Sequence, residues 1–179
     1  AAVLCLPLAP DGLPADARER VDTVKRIIDA ATALGFRRKD LLLDALTTTL
    51  AANAAAAADV LETLRLYGTE LGLPVSMGLS NISHGLPRRD LMNAQFFAMA
   101  AARGMCVPIL NPLDPMMNEA ISAVQALLGH DRQGLAYSRR FAGQAASAAP
   151  AAKPAQVAVA NQSPAADLPL AQLQQAIIQ

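Results

Sequence analysis

Four short apolar runs, repeated roughly every 30–40 residues, constrain the fold of this chain more than any other feature. The runs cover residues 2–8, 41–46, 75–79 and 106–110. Apolar residues recur at helical spacing in segments 15–34, 54–71, 90–103 and 115–128. Because a helix lies in every connection, the strands are predicted to run parallel. The sequence therefore predicts an α/β fold of four βα units, which is half of a (β/α)8 TIM barrel of about 250 residues.

The composition changes after residue 142, and this predicts three regions. Residues 1–142 form the half-barrel, in which 134–141 add a short closing helix. Residues 143–167 are dominated by Ala, Pro, Gln and Ser, which is typical of a flexible linker. Residues 168–179 place apolar side chains at helical spacing, and we interpret them as the start of a following, corrinoid-binding module. On this interpretation the chain is a fragment that lacks an N-terminal half-barrel.

Charge and hydropathy exclude several classes of partner. The chain has 15 basic and 15 acidic residues, so it carries no basic surface for nucleic acid or anionic lipid. No stretch has the pattern of a signal peptide or membrane span. Cys5 and Cys106 lie in apolar runs and are predicted to be reduced and buried, which favours a cytoplasmic protein. No cysteine or histidine spacing predicts a metal site.

Polar side chains follow the predicted strands where the ligand site of a βα barrel lies. The third run, 75–79, leads into Ser80, Asn81, Ser83 and His84 before the next helix. Clustered hydrogen-bonding groups at the carboxyl end of a strand indicate a βα-loop site. Asn81 could instead brace its own turn, as Asn often does in such sequences.

Two other strand ends carry polar groups with open interpretations. Asp44 follows three leucines, and it could bind a ligand or accept a hydrogen bond from a neighbouring loop amide. Asn111 and Asp114 follow the fourth run and could reach a ligand. The Asn-Pro-Leu-Asp sequence around them also favours an ordinary turn and helix cap.

The pattern G-L-S-N-I-S-x-G-L-P-x-R, with L-L-L-D before it and N-P-L-D after it, resembles one family closely. This family comprises the methyltetrahydrofolate:corrinoid methyltransferases and includes the folate domain of cobalamin-dependent methionine synthase. The resemblance covers roughly residues 1–142 and implies a pterin-binding, dihydropteroate synthase-like barrel. It implies transfer of a methyl group from 5-methyltetrahydrofolate to cobalamin or another corrinoid. The corrinoid would be held by a partner module, in one-carbon metabolism and methionine biosynthesis.

The resemblance also implies roles for individual residues. Asn81 would contact N5 of the folate as the methyl group leaves, and Asp44 would accept hydrogen bonds from the pterin ring. Arg89 would lie near the p-aminobenzoate or tail, although the adjacent Arg88 could fill that role. His84 and Asn111 are further candidates for folate contact.

Two rival functions stay open at this point. Dihydropteroate synthase shares the barrel, but its family has Ser-Arg-Lys where this chain has Ser80-Asn81-Ile82. The chain also has no lysine between Lys39 and Lys153, which counts against that activity. The other rival is an inactive fragment or assembly module that works only with its missing half.

Overall fold

The computed structural model describes residues 2–10 and 12–145, and its strands form one parallel sheet in the order β1-β2-β3-β4. The strands are β1 (Val3–Cys5), β2 (Leu41–Asp44), β3 (Val75–Gly78) and β4 (Val107–Ile109). The helices are α1 (Ala17–Ala33), α2 (Ala56–Leu66), α3 (Arg89–Ala101), α4 (Pro115–Leu127) and α5 (Leu135–Ala145). This alternation of parallel strands and helices confirms the predicted partial (β/α)8 barrel. Residues Ala1–Ala142 form one unit, and the site described below lies within it.

Local sequence explains where the helices begin and end. The Asp16 carboxylate caps α1 by accepting the Glu19 N–H at 2.9 Å, and Gly35 follows that helix at φ +90°. Helix α2 is extended by a π-turn, Tyr67–Leu71, and stops at Gly72, whose φ is +60°. The predicted helix 54–71 is therefore two segments of different winding.

The edge strands are shorter than the sequence predicts. The apolar run 2–8 forms a strand only over Val3–Cys5. Pro7 has no backbone N–H to give to a neighbouring strand, so pairing ends before it. Strand β4 covers Val107–Ile109 within the predicted 106–110.

The two faces of the sheet differ sharply. The side chains that alternate toward the helices form the buried core, and on β2 and β3 they are Leu41, Leu43, Val75 and Met77. The opposite face carries the row Asp44, Ser76 and Val107, aligned across three strands. At its margins, Leu4 and Ile109 remain 45% and 57% exposed. In a closed barrel this face would line the interior.

The prediction that both cysteines are buried is wrong for Cys106. Cys5 is buried in β1, whereas Cys106 precedes the edge strand β4 and is exposed. Its Sγ accepts the Val75 N–H at 3.3 Å, so the thiol extends the pairing between β3 and β4 instead of entering the core. Both thiols are free.

The predicted linker 143–167 and terminal helix 168–179 lie outside the described residues except for 143–145. Among the residues that the structure describes, no helix is long and apolar enough to cross a membrane. In the same residues, no cluster of three or more histidine, cysteine or acidic side chains could hold a metal ion.

Candidate functional site

Asp44 ends β2 and is only 7% exposed. Its Oδ1 accepts the Leu46 N–H at 2.7 Å and so holds Leu46 in a left-handed conformation with φ +53°. This is the local role that the sequence left open for Asp44. The Oδ2 atom makes no hydrogen bond within the described part of the chain, so a ligand could use it. Burial raises the pKa of the Asp44 carboxyl, and the Leu46 N–H opposes that rise in part.

Asn81 lies in a short 3₁₀ turn, Leu79–Ser83, immediately after β3. Its Nδ2 donates to the Thr47 carbonyl at 3.4 Å, so the side chain reaches toward the loop after β2. Gly78 makes this position possible, because a Cβ there would lie 3.0 Å from Asn81 Nδ2. The amide is therefore held between two neighbouring strand ends, and its contact is not with its own turn.

Further hydrogen bonds join the same two loops. The Thr49 hydroxyl donates to the His84 carbonyl at 2.6 Å, and the Leu50 N–H donates to the Ile82 carbonyl at 3.1 Å. The His84 side chain is exposed, and it is its backbone that makes this contact. The loops after β2 and β3 thus form one connected rim, which we call the β2–β3 rim (residues 44–50 and 79–84).

The two adjacent arginines make different contacts. Arg89 begins α3, and its guanidinium donates from Nε to Ser83 Oγ and from Nη2 to the Ser80 carbonyl, both at 3.0 Å. Arg88 has φ +48° and pairs with Asp90. Of the two candidates, Arg89 is the one bonded to the β2–β3 rim.

A second polar region lies between the N-termini of α3 and α4, and we call it the α3–α4 cleft. It encloses about 260 Å³ and is lined by Ser80, Arg89, Asp90, Asn93, Asn111, Asp114 and Met117. Asn111 Oδ1 accepts the Leu113 N–H at 3.0 Å, which is a turn contact. The Asp114 carboxylate accepts the N–H groups of Met116 and Met117 at 3.0 and 3.3 Å, which is a helix cap.

The structure therefore divides the five residues predicted for the site. Asp44 and Asn81 both belong to the β2–β3 rim. The Asn81 side chain donates to the carbonyl of Thr47, which lies in the loop that follows Asp44. Arg89 and Asn111 line the α3–α4 cleft. His84 contributes only its backbone to the rim.

Comparison with known proteins gives this arrangement a family. Residues 11–111, more than half of the chain, match the family described as pterin binding enzymes. The chain belongs to the pterin-binding enzymes. It is also 45% identical over 67 residues to a methylcorrinoid:tetrahydrofolate methyltransferase of Eubacterium limosum. That alignment covers 37% of this chain and 25% of the relative, so the chain matches about a quarter of the relative's length.

Sequence reasoning missed two polar residues near the site of this pterin-binding chain. Thr47 supplies the carbonyl that receives Asn81, and the run of three threonines after the second strand was a signal for such a loop. Arg20 is 2% exposed and donates to the Ala45 carbonyl and the Thr63 hydroxyl, each at 3.3 Å. Its burial lowers the pKa of the guanidinium and places a positive charge directly beneath the end of β2. Helical spacing alone gave no signal for a buried arginine.

Proposed function

We propose that this chain is part of an enzyme that moves a methyl group between N5 of tetrahydrofolate and a corrinoid. The observation that carries the proposal is the position of the Asn81 amide, held between the ends of β2 and β3 in a pterin-binding chain. The similarity to a methylcorrinoid:tetrahydrofolate methyltransferase supports the reaction type.

In this proposal Asp44 binds the pterin ring. A pterin presents an amino group and a ring N–H side by side, and both are hydrogen-bond donors. The buried carboxylate has one oxygen committed to Leu46 and the other available. A charge-assisted hydrogen bond in such a poorly solvated position is stronger than one in water.

Asn81 acts at N5. When the N5–CH₃ bond breaks, the electron pair stays on nitrogen, which must be protonated or hydrogen-bonded. A carboxamide can donate and accept, and it needs no change of charge. Because one Nδ2 hydrogen goes to Thr47, the second N–H and the Oδ1 atom remain available to N5. The fixed rim holds this group in place before the reaction, which is how a hydrogen bond contributes most to a transition state.

The direction of transfer is part of the proposal. The sequence predicts transfer from 5-methyltetrahydrofolate, whereas the relative's name gives transfer to tetrahydrofolate. Both directions share one transition state, so the same contact from Asn81 serves both. The corrinoid supplies the cobalt that exchanges the methyl group, and a partner protein or module holds it. A cytoplasmic location and a role in methionine biosynthesis remain predictions.

We further infer that the site is completed by another half-barrel. Leu4, Val107 and Ile109 leave apolar surface exposed on the face that would line a barrel, and such a surface favours association. The chain also matches only a quarter of its relative's length. On this inference the 179-residue chain alone self-associates and is inactive. A monodisperse monomer with full activity would contradict it.

The test of the proposed function uses the full-length protein that contains this chain. Tetrahydrofolate affinity is measured by calorimetry, and methyl transfer is followed in both directions by the absorbance of a corrinoid protein. We expect binding and transfer, with transfer strongly slowed in Asn81→Ala. Absence of tetrahydrofolate binding would contradict the proposal. Formation of a dihydropteroate from p-aminobenzoate and a pterin pyrophosphate would favour the rival synthase instead.

A further inference from the structure

Two buried side chains hold the backbone at the end of β2. The Tyr67 hydroxyl donates to the Asp44 carbonyl, and Arg20 Nη1 donates to the Ala45 carbonyl, both at 3.3 Å. Tyr67 is fully buried and Arg20 is 2% exposed. Arg20 lies on α1 and Tyr67 begins the π-turn that extends α2, so the two donors are 25 and 23 positions away from the carbonyls that they contact. Two successive peptide groups are thus held from the helix side of the sheet.

The held peptides lie where the chain leaves the sheet. The Ala45 N–H still donates to the Ser76 carbonyl at 3.0 Å, as in the sheet. The next residue, Leu46, has φ +53°, and its N–H donates to Asp44 Oδ1 at 2.7 Å. The Asp44 carboxylate therefore lies in a turn whose backbone is fixed by Arg20 and Tyr67. A displacement of the carbonyls of residues 44 and 45 would move the carboxylate with them.

Packing alone does not account for Arg20. The buried residues that surround it on α1 include Val21, Val24 and Ile28. Arg20 donates to the Ala45 carbonyl and the Thr63 hydroxyl, while its Nε is enclosed and has no hydrogen bond in the described part of the chain. An apolar side chain of similar size would avoid the cost of burying this charge. What the arginine adds is its contact with the end of β2.

Both donors are fixed in the state that the contacts require. The Thr63 hydroxyl donates to the Asp59 carbonyl at 2.6 Å, so its oxygen is oriented to accept Arg20 Nη1. Burial raises the pKa of the Tyr67 hydroxyl, so that group stays protonated and can donate. Burial lowers the pKa of the Arg20 guanidinium, but an arginine starts so high that it stays charged.

We propose that Arg20 and Tyr67 are positioning residues for Asp44, which they hold through the backbone carbonyls of residues 44 and 45. This inference rests on the proposed function, in which the Asp44 carboxylate binds the pterin ring. Arg20 and Tyr67 act through the backbone and do not touch the ligand. A carboxylate that is already in place loses little freedom when the pterin binds, so its hydrogen bonds contribute more to affinity.

The experiment uses the full-length protein with the variants Tyr67→Phe, Arg20→Met and Arg20→Lys. Calorimetry gives the affinity for tetrahydrofolate, and single-turnover transfer to a corrinoid protein at saturating 5-methyltetrahydrofolate gives the rate. The matched controls are Tyr137→Phe and Arg26→Met, which remove the same groups from exposed positions on α5 and α1. Each affinity is also measured in the Asp44→Asn background, and thermal melting shows that each variant is folded.

Tyr67→Phe and Arg20→Met should each weaken tetrahydrofolate binding about threefold to tenfold, the effect of losing one hydrogen bond. Arg20→Lys keeps a cationic donor and should lose less. The saturated transfer rate should stay near that of the wild type, because in the proposed function Asn81 contacts N5 and Asp44 does not. In the Asp44→Asn background the same substitutions should have little further effect, since the hydrogen bond that they position is already gone.

Three results would overturn the inference and leave the proposed function intact. They are unchanged affinities, equal losses with and without Asp44→Asn, and a parallel fall in affinity and saturated rate, which would indicate general damage to the rim. Tyr67→Phe removes a single oxygen atom, so it carries the test even where Arg20→Met does not fold. A wild-type protein that does not bind tetrahydrofolate would contradict both the inference and the proposed function.

Discussion

The β2–β3 rim and the α3–α4 cleft share the turn after β3, but they use their polar groups differently. In the rim, hydrogen bonds join residues 34 and 35 positions apart, from Asn81 to Thr47 and from Thr49 to His84. In the cleft, the side chains of Asn111 and Asp114 bond only to N–H groups two or three positions away, and Asn93 Oδ1 has no hydrogen-bond partner among the residues that the structure describes. Under the proposed function, the cross-linked loops of the rim hold a group in place before the reaction, whereas the cleft holds Asn111 and Asp114 by local turn and cap contacts alone.

Among the substitutions that test this comparison, Asn81→Ala should have the largest effect on methyl transfer. On the proposed mechanism Asn81→Ala in the full-length protein removes the hydrogen bond to N5, and methyl transfer should slow by roughly 10²–10³-fold. Folate affinity should change little, because the bond strengthens in the transition state. Single-turnover transfer and calorimetry separate the two effects. His84→Ala is the control, since its side chain is exposed, and a wild-type rate in Asn81→Ala would remove Asn81 from the mechanism.

Asp44→Asn should weaken pterin binding by about 10–100-fold, the scale of a hydrogen bond to a charged group. Asp44→Ala is a less specific test of pterin binding than the sequence alone suggests. Because Asp44 also holds Leu46 in its left-handed turn, Ala would disturb the loop as well as the ligand. Asn keeps an oxygen for the Leu46 N–H. Calorimetric affinity equal to that of the wild type would show that Asp44 has only the local role.

Gly78→Ala tests whether the rim must hold Asn81 in one place. The new methyl group would lie 3.0 Å from Asn81 Nδ2, so the amide must move while the backbone, at φ −75°, stays unstrained. We expect methyl transfer to fall about tenfold with the melting temperature nearly unchanged. An unaffected rate would mean that the position of the Asn81 amide is not critical.

The two arginines offer a matched pair with smaller effects. Arg89→Ala removes two hydrogen bonds to the loop and should lower methyl transfer several-fold, since each such bond contributes about 1 kcal/mol. Arg88→Ala breaks only an exposed ion pair with Asp90, so activity should persist. Steady-state kinetics of both variants decides between Arg89 and Arg88, the two candidates that the sequence left open. Equal losses would contradict the assignment to Arg89.

The smallest effect concerns stability and pH. Burial raises the pKa of Asp44, so the folded state favours the neutral carboxyl. The stability that the neutral Asp44 carboxyl contributes is fully present below its pKa in the unfolded chain, which is about 4. It is lost as the pH rises through the higher pKa of the folded state. Asp44→Asn should therefore be more stable than the wild type at pH 8 and nearly equal to it at pH 4. Urea unfolding at both values checks this, and a less stable variant at pH 8 would contradict it.

Strand order and family were predictable from sequence because both depend on local patterns. Four apolar runs with helices between them allow only a parallel sheet, and the S-N-I-S loop follows its strand directly. The contact between Asn81 and Thr47 was not predictable, because it joins two loops that only the folded sheet brings together. Exposure of Cys106 and burial of Asn93 depend likewise on which edge or groove a residue reaches. Hydrophobic periodicity does not encode either.

The long-range hydrogen bonds of the rim also have a kinetic consequence. All of them close within about one repeat of the chain, between the loop after β2 and the loop after β3. Loops of that length close at modest entropic cost, and contacts of short sequence separation form early. The geometry around Asn81 should thus assemble as soon as β2 pairs with β3, ahead of any contact with more distant strands. Within this βα repeat the proposed catalytic geometry and the folding unit coincide, so mutations in the rim should slow refolding together with the proposed methyl transfer.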